Sequence, residues 1–244
     1  MTVLLAAAHA PVIPNFGNPS SFACERANRL FCSDWVSHNW STVLWPALRQ
    51  HLVLTLIAVS LGFVISTTLA LIAYRRRWFE RPVLIVTSIL YTIPSLALFE
   101  LLAPSLGLNR TTAEVALVSY TLLIMFRNTL TGLREVPDEV RDAAAGMGMG
   151  PLQSLLRVEL PLALPAITAG VRIATVTVIS LATVAALIDN EGLGVPILTA
   201  ISNEVFKTEL IVAGGMAVGL ALAADGLLVL VQRWLTPWAR ARSA

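Results

Sequence analysis

The sequence predicts an all-α integral membrane protein with about five transmembrane helices, since a helix needs about 20 apolar residues to span a bilayer. Two observations carry this. Hydrophobic residues make up 56% of the 244 and charged residues 13%, against roughly 45–50% and 25% in soluble proteins, and mean hydropathy is +0.75. A soluble fold of this size could not hide that much apolar surface, so the excess faces lipid. The apolar residues also gather in runs of spanning length divided by polar loops. This excludes a soluble enzyme, a disordered chain and a nucleic-acid binder built on a basic face. The net charge of +2 gives no reason to expect a polyanionic partner.

Residues 1–50 precede the spans. Residues 1–10 are apolar but too short to cross a bilayer; Ala8-His9-Ala10 could mimic a cleavage site, but Pro11 follows it. Residues 11–32 are rich in Pro, Asn and Ser and read as irregular. Trp35, Trp40 and Trp45 favour the headgroup region, which predicts a short interfacial helix. Residues 51–236 then form the transmembrane domain. Its spans read as 52–73, without charge; 82–103, interrupted by Glu100; 113–126, the shortest, opening with Glu114; 162–188, with Arg172; and 210–231, with Asp225. A tail, 237–244, follows.

Basic residues set the orientation. Arg75, Arg76, Arg77 and Arg81 lie between the first two spans; Arg127, Arg134, Arg141 and Arg157 between the third and fourth; Arg233, Arg240 and Arg242 after the fifth. The alternate loops hold only Arg110 and Lys207, the second with Asp189, Glu191, Glu204 and Glu209. This predicts an outside N-terminus and a cytoplasmic C-terminus. Cys24 and Cys32 would then sit in an oxidising compartment and either pair or stay free.

The cytoplasmic loop 127–161 is too polar to span and too patterned for a linker. Pro137, Asp138 and Glu139 mark a helix start. Val140, Ala143, Ala144 and Met147 make an apolar face at helical spacing. The run from Gly146 to Pro151 stops that helix, and a second short one over 152–158 leads to Pro161. Two short helices on a glycine hinge form a compact knob, either a docking element or an ordinary helical loop.

Inside the spans, Pro94 either shapes a flexing pathway or makes a packing kink. Thr92 and Ser95 line that pathway or bond back to the helix. By the helical rise, Arg172 and Asp225 both lie well inside their spans, at similar depths from the inner side. A salt bridge between them is the leading reading and a cation site at Asp225 the alternative. Glu100 and Glu114 are expected to snorkel. Tyr91, Phe99, Tyr120 and Phe126 offer aromatic faces to a cation or pack in the core.

Asp142-Ala143-Ala144, three residues, Gly148, nine residues, then Val158-Glu159-Leu160-Pro161 resembles the E-A-A…G…I-x-L-P signature of ABC importer permeases, with Asp for Glu and Val for Ile. The likeness extends over about residues 40–234. Thr92-Ile93-Pro94-Ser95-Leu96-Ala97, the run Arg127-Asn128-Thr129 with Thr131-Gly132-Leu133, and Ala185-Ala186-Leu187-Ile188 with Gly192-Leu193-Gly194 resemble runs of the glycine betaine/carnitine/choline (osmoprotectant, quaternary amine) permeases. The departure is Asp189-Asn190-Glu191, where that family has small residues.

The resemblance implies a type I ABC importer transmembrane-domain architecture and a permease for compatible solutes. It implies docking of an ATPase on Asp138, Glu139, Arg141, Asp142, Ala143, Ala144, Gly146, Met147, Gly148 and Leu152. It puts Tyr91, Thr92, Pro94, Ser95, Asn128, Asp189, Glu191, Gly192 and Gly194 along the translocation pathway or its gate. Implied partners are ATP-binding-cassette ATPase subunits, a second permease subunit, identical or related, and an extracytoplasmic substrate-binding protein, in a bacterial cell membrane. The chain has no G-x-x-x-x-G-K-[ST], and Lys207 is its only lysine, so ATP and Mg are expected on the partner ATPase. No catalytic residue, metal or cofactor is expected in this chain. The rivals are an importer of another small solute, such as an amino acid; an ion-coupled secondary transporter, which would carry inverted repeats; and a membrane-embedded enzyme, which would need clustered His, Asp or Ser.

Overall fold

The computed structural model describes residues 22–203 and 205–238. The apolar stretch 1–10, the Ala8-His9-Ala10 site, Glu204, Arg240 and Arg242 lie outside them. The described residues fold as α1 (Ala23–Arg26), α2 (Ser33–Asn39), α3 (Trp45–Arg75), α4 (Arg77–Thr92), α5 (Ser95–Leu106), α6 (Arg110–Arg134), α7 (Asp138–Gly146), α8 (Pro151–Ser154), α9 (Leu160–Asp189), α10 (Gly194–Ser202) and α11 (Lys207–Leu235). Single π-helical turns, Trp40–Leu44 and Leu155–Glu159, fuse α2 to α3 and α8 to α9.

Four helical stretches are long and apolar enough to cross a membrane, and a bent pair, α4 with α5, makes up to five. α6 lies at the centre, packed on α3, α9, α4 and α5. Over half of its apolar window is buried (56%), against 6% for the peripheral α11. Small residues let these backbones close up. Ala58, Ala116, Ala182 and Ala185 are fully buried in the main core with Leu117 and Phe99. A methyl added at Gly62 would stand 1.9 Å from Thr121 Oγ1, and one at Gly170 2.6 Å from Asn128 Cβ.

Several boundaries differ from the sequence reading. The second span is not a kinked rod but two helices at 102°. Ile93 takes an extended conformation (φ −64°, ψ 128°) ahead of Pro94, as proline's ring demands of the residue before it. The third span runs to Arg134, so residues 127–134 are helix rather than loop. Their polar side chains mask a face that stays apolar at helical spacing, Leu130 and Leu133 being buried. α6 is capped by Asn109, whose side chain accepts a bond from Thr112 N–H at 3.2 Å. The second knob helix is continuous with the fourth span over residues 151–189. α10 was not foreseen. The boundary at residue 50 falls inside α3, and Trp35 is 7% exposed rather than interfacial, while Trp40 and Trp45 are open.

Candidate functional site

At one end of the bundle, α7 stands out from the spans. Pro137 (ψ 145°) starts it, and Asp138 and Glu139 fill its first turn, where carboxylates oppose the helix dipole. It ends in a left-handed residue, Gly148 (φ +80°), with nothing within 4 Å of where a Cβ would lie. Glycine is therefore required there for conformation rather than space. The anticipated apolar face is mostly uncovered: Ala144 is buried, Val140 half-buried, and Ala143 and Met147 exposed. Asp138, Glu139, Asp142, Gly146 and Gly148 are exposed, as is Leu152. The reason is local, because α7 has only its Ala144 side against the rest of the chain.

Beneath α7 lies a polar network that the sequence reading missed. Glu159 is 6% exposed. Its carboxylate accepts hydrogen bonds from Tyr74 Oη of α3 (2.5 Å) and Ser154 Oγ of α8 (2.9 Å). Arg141 of α7 bonds Asp138 at 2.5 Å and the carbonyl of Leu133 on α6 at 3.2 Å, with its guanidinium 5.9 Å from the Tyr74 ring centre. Arg75 reaches the Pro151 carbonyl at 3.2 Å. A cleft of about 320 Å3 opens over Tyr74, Arg141, Ser154 and Glu159. The available signal was a carboxylate and a tyrosine at positions that had to be close to a bilayer boundary.

At the opposite end, the predicted gate glycines meet a buried histidine. Gly192 (φ +79°) packs on His51, where a Cβ would lie 3.1 Å from Nδ1. Its N–H bonds Gln50 Oε1 at 3.2 Å. His51 is fully buried, with Nδ1 3.3 Å from Leu193 N and Nε2 3.0 Å from the Ile179 carbonyl. The Leu193 N–H needs an acceptor and the carbonyl a donor, which fixes the neutral ring protonated on Nε2. A methyl at Gly194 would lie 2.0 Å from the Thr183 carbonyl. Asp189 Oδ1 accepts from Glu191 N–H at 3.1 Å, and Arg110 holds Glu114 at 2.8 Å with Glu191 at 3.6 Å.

The remaining candidates are spread along the spans. Tyr91, Thr92 and Pro94 are exposed and Ser95 half-buried. The Thr92 hydroxyl bonds back to the Ser88 carbonyl. Tyr120 Oη donates to the Ile93 carbonyl at 2.5 Å, satisfying an acceptor that the break at Pro94 leaves free. Phe99, Phe126 and Tyr120 are core residues, and Tyr91 stands edge-on to Tyr120 at 6.0 Å. Asn128 bonds its own helix at Ile124 (2.8 Å) where α6 meets α9. Arg172 and Asp225 form a two-bond pair (2.9 and 3.1 Å) between α9 and α11.

Cys24 and Cys32 form a disulfide. The loop it closes sits on the turn before α11. Asn28 donates to the Val205 carbonyl (3.2 Å) and accepts from Lys207 N–H (2.9 Å), and Thr208 Oγ1 bonds the Arg29 carbonyl (2.8 Å). Trp35 meets Phe206 edge-on at 5.3 Å. Among the described residues, no three His, Cys, Asp or Glu side chains come together to hold a metal.

Residues 58–240 match the family model of the binding-protein-dependent transport system inner membrane component. The chain belongs to that family. It is 36% identical over 189 residues to the choline transport system permease protein OpuBB of Bacillus subtilis, covering 77% of this chain and 86% of that one. It is 39% identical over 194 residues to the osmoprotectant import permease protein OsmW of Salmonella typhimurium, covering 77% and 89%. The fold is that of a chain of the MetNI methionine ABC transporter in an inward-facing conformation, with a TM-score of 0.69 at 21% identity over 79% of this chain and 97% of that one. As a family member the chain is an inner-membrane transport component with an importer's transmembrane fold. The helix–glycine–helix turn at 138–154 and the broken α4–α5 pair both lie within the matched stretch.

Proposed function

We propose that this chain is the permease subunit of an ATP-driven importer of quaternary-amine compatible solutes, of the glycine betaine, choline and carnitine type. The observation that carries this is the coincidence of two things: α7 projects from the bundle with an uncovered surface and turns at Gly148, and its Asp142-Ala143-Ala144 run falls in a stretch matched by osmoprotectant permeases. ATP and Mg bind a separate ATPase that docks on α7, from Asp138 to Gly148, and on Leu152. A second permease subunit completes the pathway, because up to five spans from one chain are too few to enclose a solute route. An extracytoplasmic binding protein delivers the solute at the Asp189–Gly194 end. The alternating basic loops support a cytoplasmic α7 and an outside N-terminal segment. Closure of the ATPase subunits pushes α7, and the pathway switches between inward- and outward-facing.

Purification of the full chain from its native membrane tests this. An ATPase and a binding protein should accompany it, and hydrolysis should rise when the binding protein is loaded with glycine betaine or choline. A lone chain whose uptake follows an ion gradient and ignores ATP depletion overturns the reading.

A further inference from the structure

The buried carboxylate of Glu159 holds more than one bond, and one N–H beside it holds none. Its oxygens tie α3, through Tyr74, to the start of the α8–α9 rod, through Ser154. Arg141 Nε of α7 is buried without a hydrogen-bond partner and lies 3.9 Å from Glu159 Oε2, too long for a hydrogen bond. The rest of the guanidinium is held by Asp138 and Leu133, but a buried N–H without an acceptor is costly, and one 3.9 Å from a carboxylate is about 1 Å short of the charge-assisted bond that would relieve the cost. The network is therefore hydrogen-bonded on the α3 and α9 sides, while on the α7 side Glu159 has an ion-pair contact at 3.9 Å without a hydrogen bond. The cleft above it leaves space for α7 to move.

We propose that Glu159, with Tyr74 and Arg141, is the positioning device through which displacement of α7 reaches the spans. In the conformation seen here Arg141 rests on Leu133 and Asp138. When α7 moves inward by roughly 1 Å, Nε closes on Glu159 and the guanidinium pulls α3 and α9 together through the shared carboxylate. Small shifts at such a bistable contact are amplified because packed helices move as units. Glu159 is the variable position of the signature run, so the motif itself does not assign it. This inference rests on the functional reading above, which makes α7 the driven element.

The test uses the whole complex in proteoliposomes, with glycine betaine and ATP as probes. ATP-driven accumulation by the unaltered complex is required first; its failure sinks the functional reading, before any variant is compared. Glu159→Gln keeps the volume but removes the charge that faces Arg141 and turns one of the two acceptor oxygens into an N–H2 donor. It should raise the ATP hydrolysed per glycine betaine accumulated at least fivefold, with complex yield within twofold. Tyr74→Phe keeps the ring beside Arg141 and removes only the hydroxyl; it should raise the ratio at least twofold. The double variant should be no worse than Glu159→Gln alone, because Tyr74 acts only through the carboxylate already replaced. Amide exchange across 138–147 should quicken in each variant while the centre of α9 is unchanged. An unaltered ratio in Tyr74→Phe overturns the proposal, as does an unaltered exchange rate in α7. Loss of transport and hydrolysis in equal proportion also overturns it, since that marks a merely structural brace. If Glu159→Gln fails to assemble, Tyr74→Phe alone decides.

Discussion

The two ends of the bundle hold down their loops by different means. At the α7 end the ties are directional: Tyr74 and Ser154 on Glu159, Arg75 on the Pro151 carbonyl, and Arg134 on Glu80 through bonds of 2.8 and 2.5 Å. At the opposite end directional bonds at Gln50, His51 and Arg110 are joined by a disulfide, around which Cys32, Trp35, Leu44 and Phe206 form one buried cluster. Asn28 copies a backbone partner for the turn before α11. Directional bonds around a carboxylate can be exchanged within about an ångström, whereas a covalent loop on an apolar cluster cannot. The lesson is that the α7 end rests on exchangeable bonds alone, while the N-terminal loop at the other end is also pinned covalently.

The largest expected effect is at the movable end. Gly148→Val meets no steric neighbour but forces a β-branched residue to φ +80°, at a cost of roughly 1–2 kcal/mol or more for a left-handed residue. Solute uptake in proteoliposomes should fall at least tenfold while inserted protein stays within twofold, with Gly148→Ala milder. Normal uptake by the valine variant would break the comparison, since the turn would then be free to take any shape. The fixed end should respond the other way. Replacing Cys24 and Cys32 together by Ser opens a loop with a separation of eight, worth about 2–3 kcal/mol by loop entropy. Amide exchange at 205–208 should quicken about tenfold or more while uptake changes less than threefold. A larger loss of uptake would show that the clasp works as a moving part.

Much of this was legible in the sequence, and the limits have physical causes. Composition and apolar runs gave the spans, because burial in lipid leaves no other place for such residues. The turn at Gly148 was legible too, since only glycine suits a left-handed stop between two helix signals. The 102° break at Pro94 was read as a kink, because proline reports a disturbed ladder but not the angle. Residues 127–134 read as loop by polarity, yet they continue α6 because Leu130 and Leu133 keep facing inward. α10 and the His51 contact were invisible. The contact joins Leu193 to His51 across 142 residues, and no local pattern encodes such a pairing, while α10 is a short helix packed between α9 and α11. Glu159 was likewise unreadable as a network centre, because its partners come from α3 and α8.

The peripheral helix α11 sharpens the contrast at smaller scale. Little of it is buried, and Arg172–Asp225 is its polar tie to α9 midway along the span. Arg172→Asp or Asp225→Arg alone leaves two like charges in contact and should lower the thermal midpoint of the purified chain by several degrees. The double exchange should restore most of it. Failure of the double variant to recover would mean that Asp225 serves something other than its arginine, and would detach α11 from the fixed end.

The smallest effect is a pH dependence of the clasp. Glu25, in α1, is 9% exposed, and burial pushes its carboxyl above the ordinary value of 4.5, against the lowering from the Phe22 backbone and from His38. Glu209, at the start of α11, is a second buried carboxylate within electrostatic reach. The folded clasp therefore holds its proton more tightly than the open one does. The resulting stability is fully present below 4.5 and is lost as pH rises through the raised value. Amide exchange at 22–32 should thus be slower at pH 4 than at pH 8 after correction for intrinsic rates. Glu25→Gln should flatten that difference by slowing exchange at pH 8 a few-fold and leaving pH 4 unchanged. A slope that survives the substitution would move the titration to Glu209 and place the pH response on α11 itself rather than on the loop that holds it.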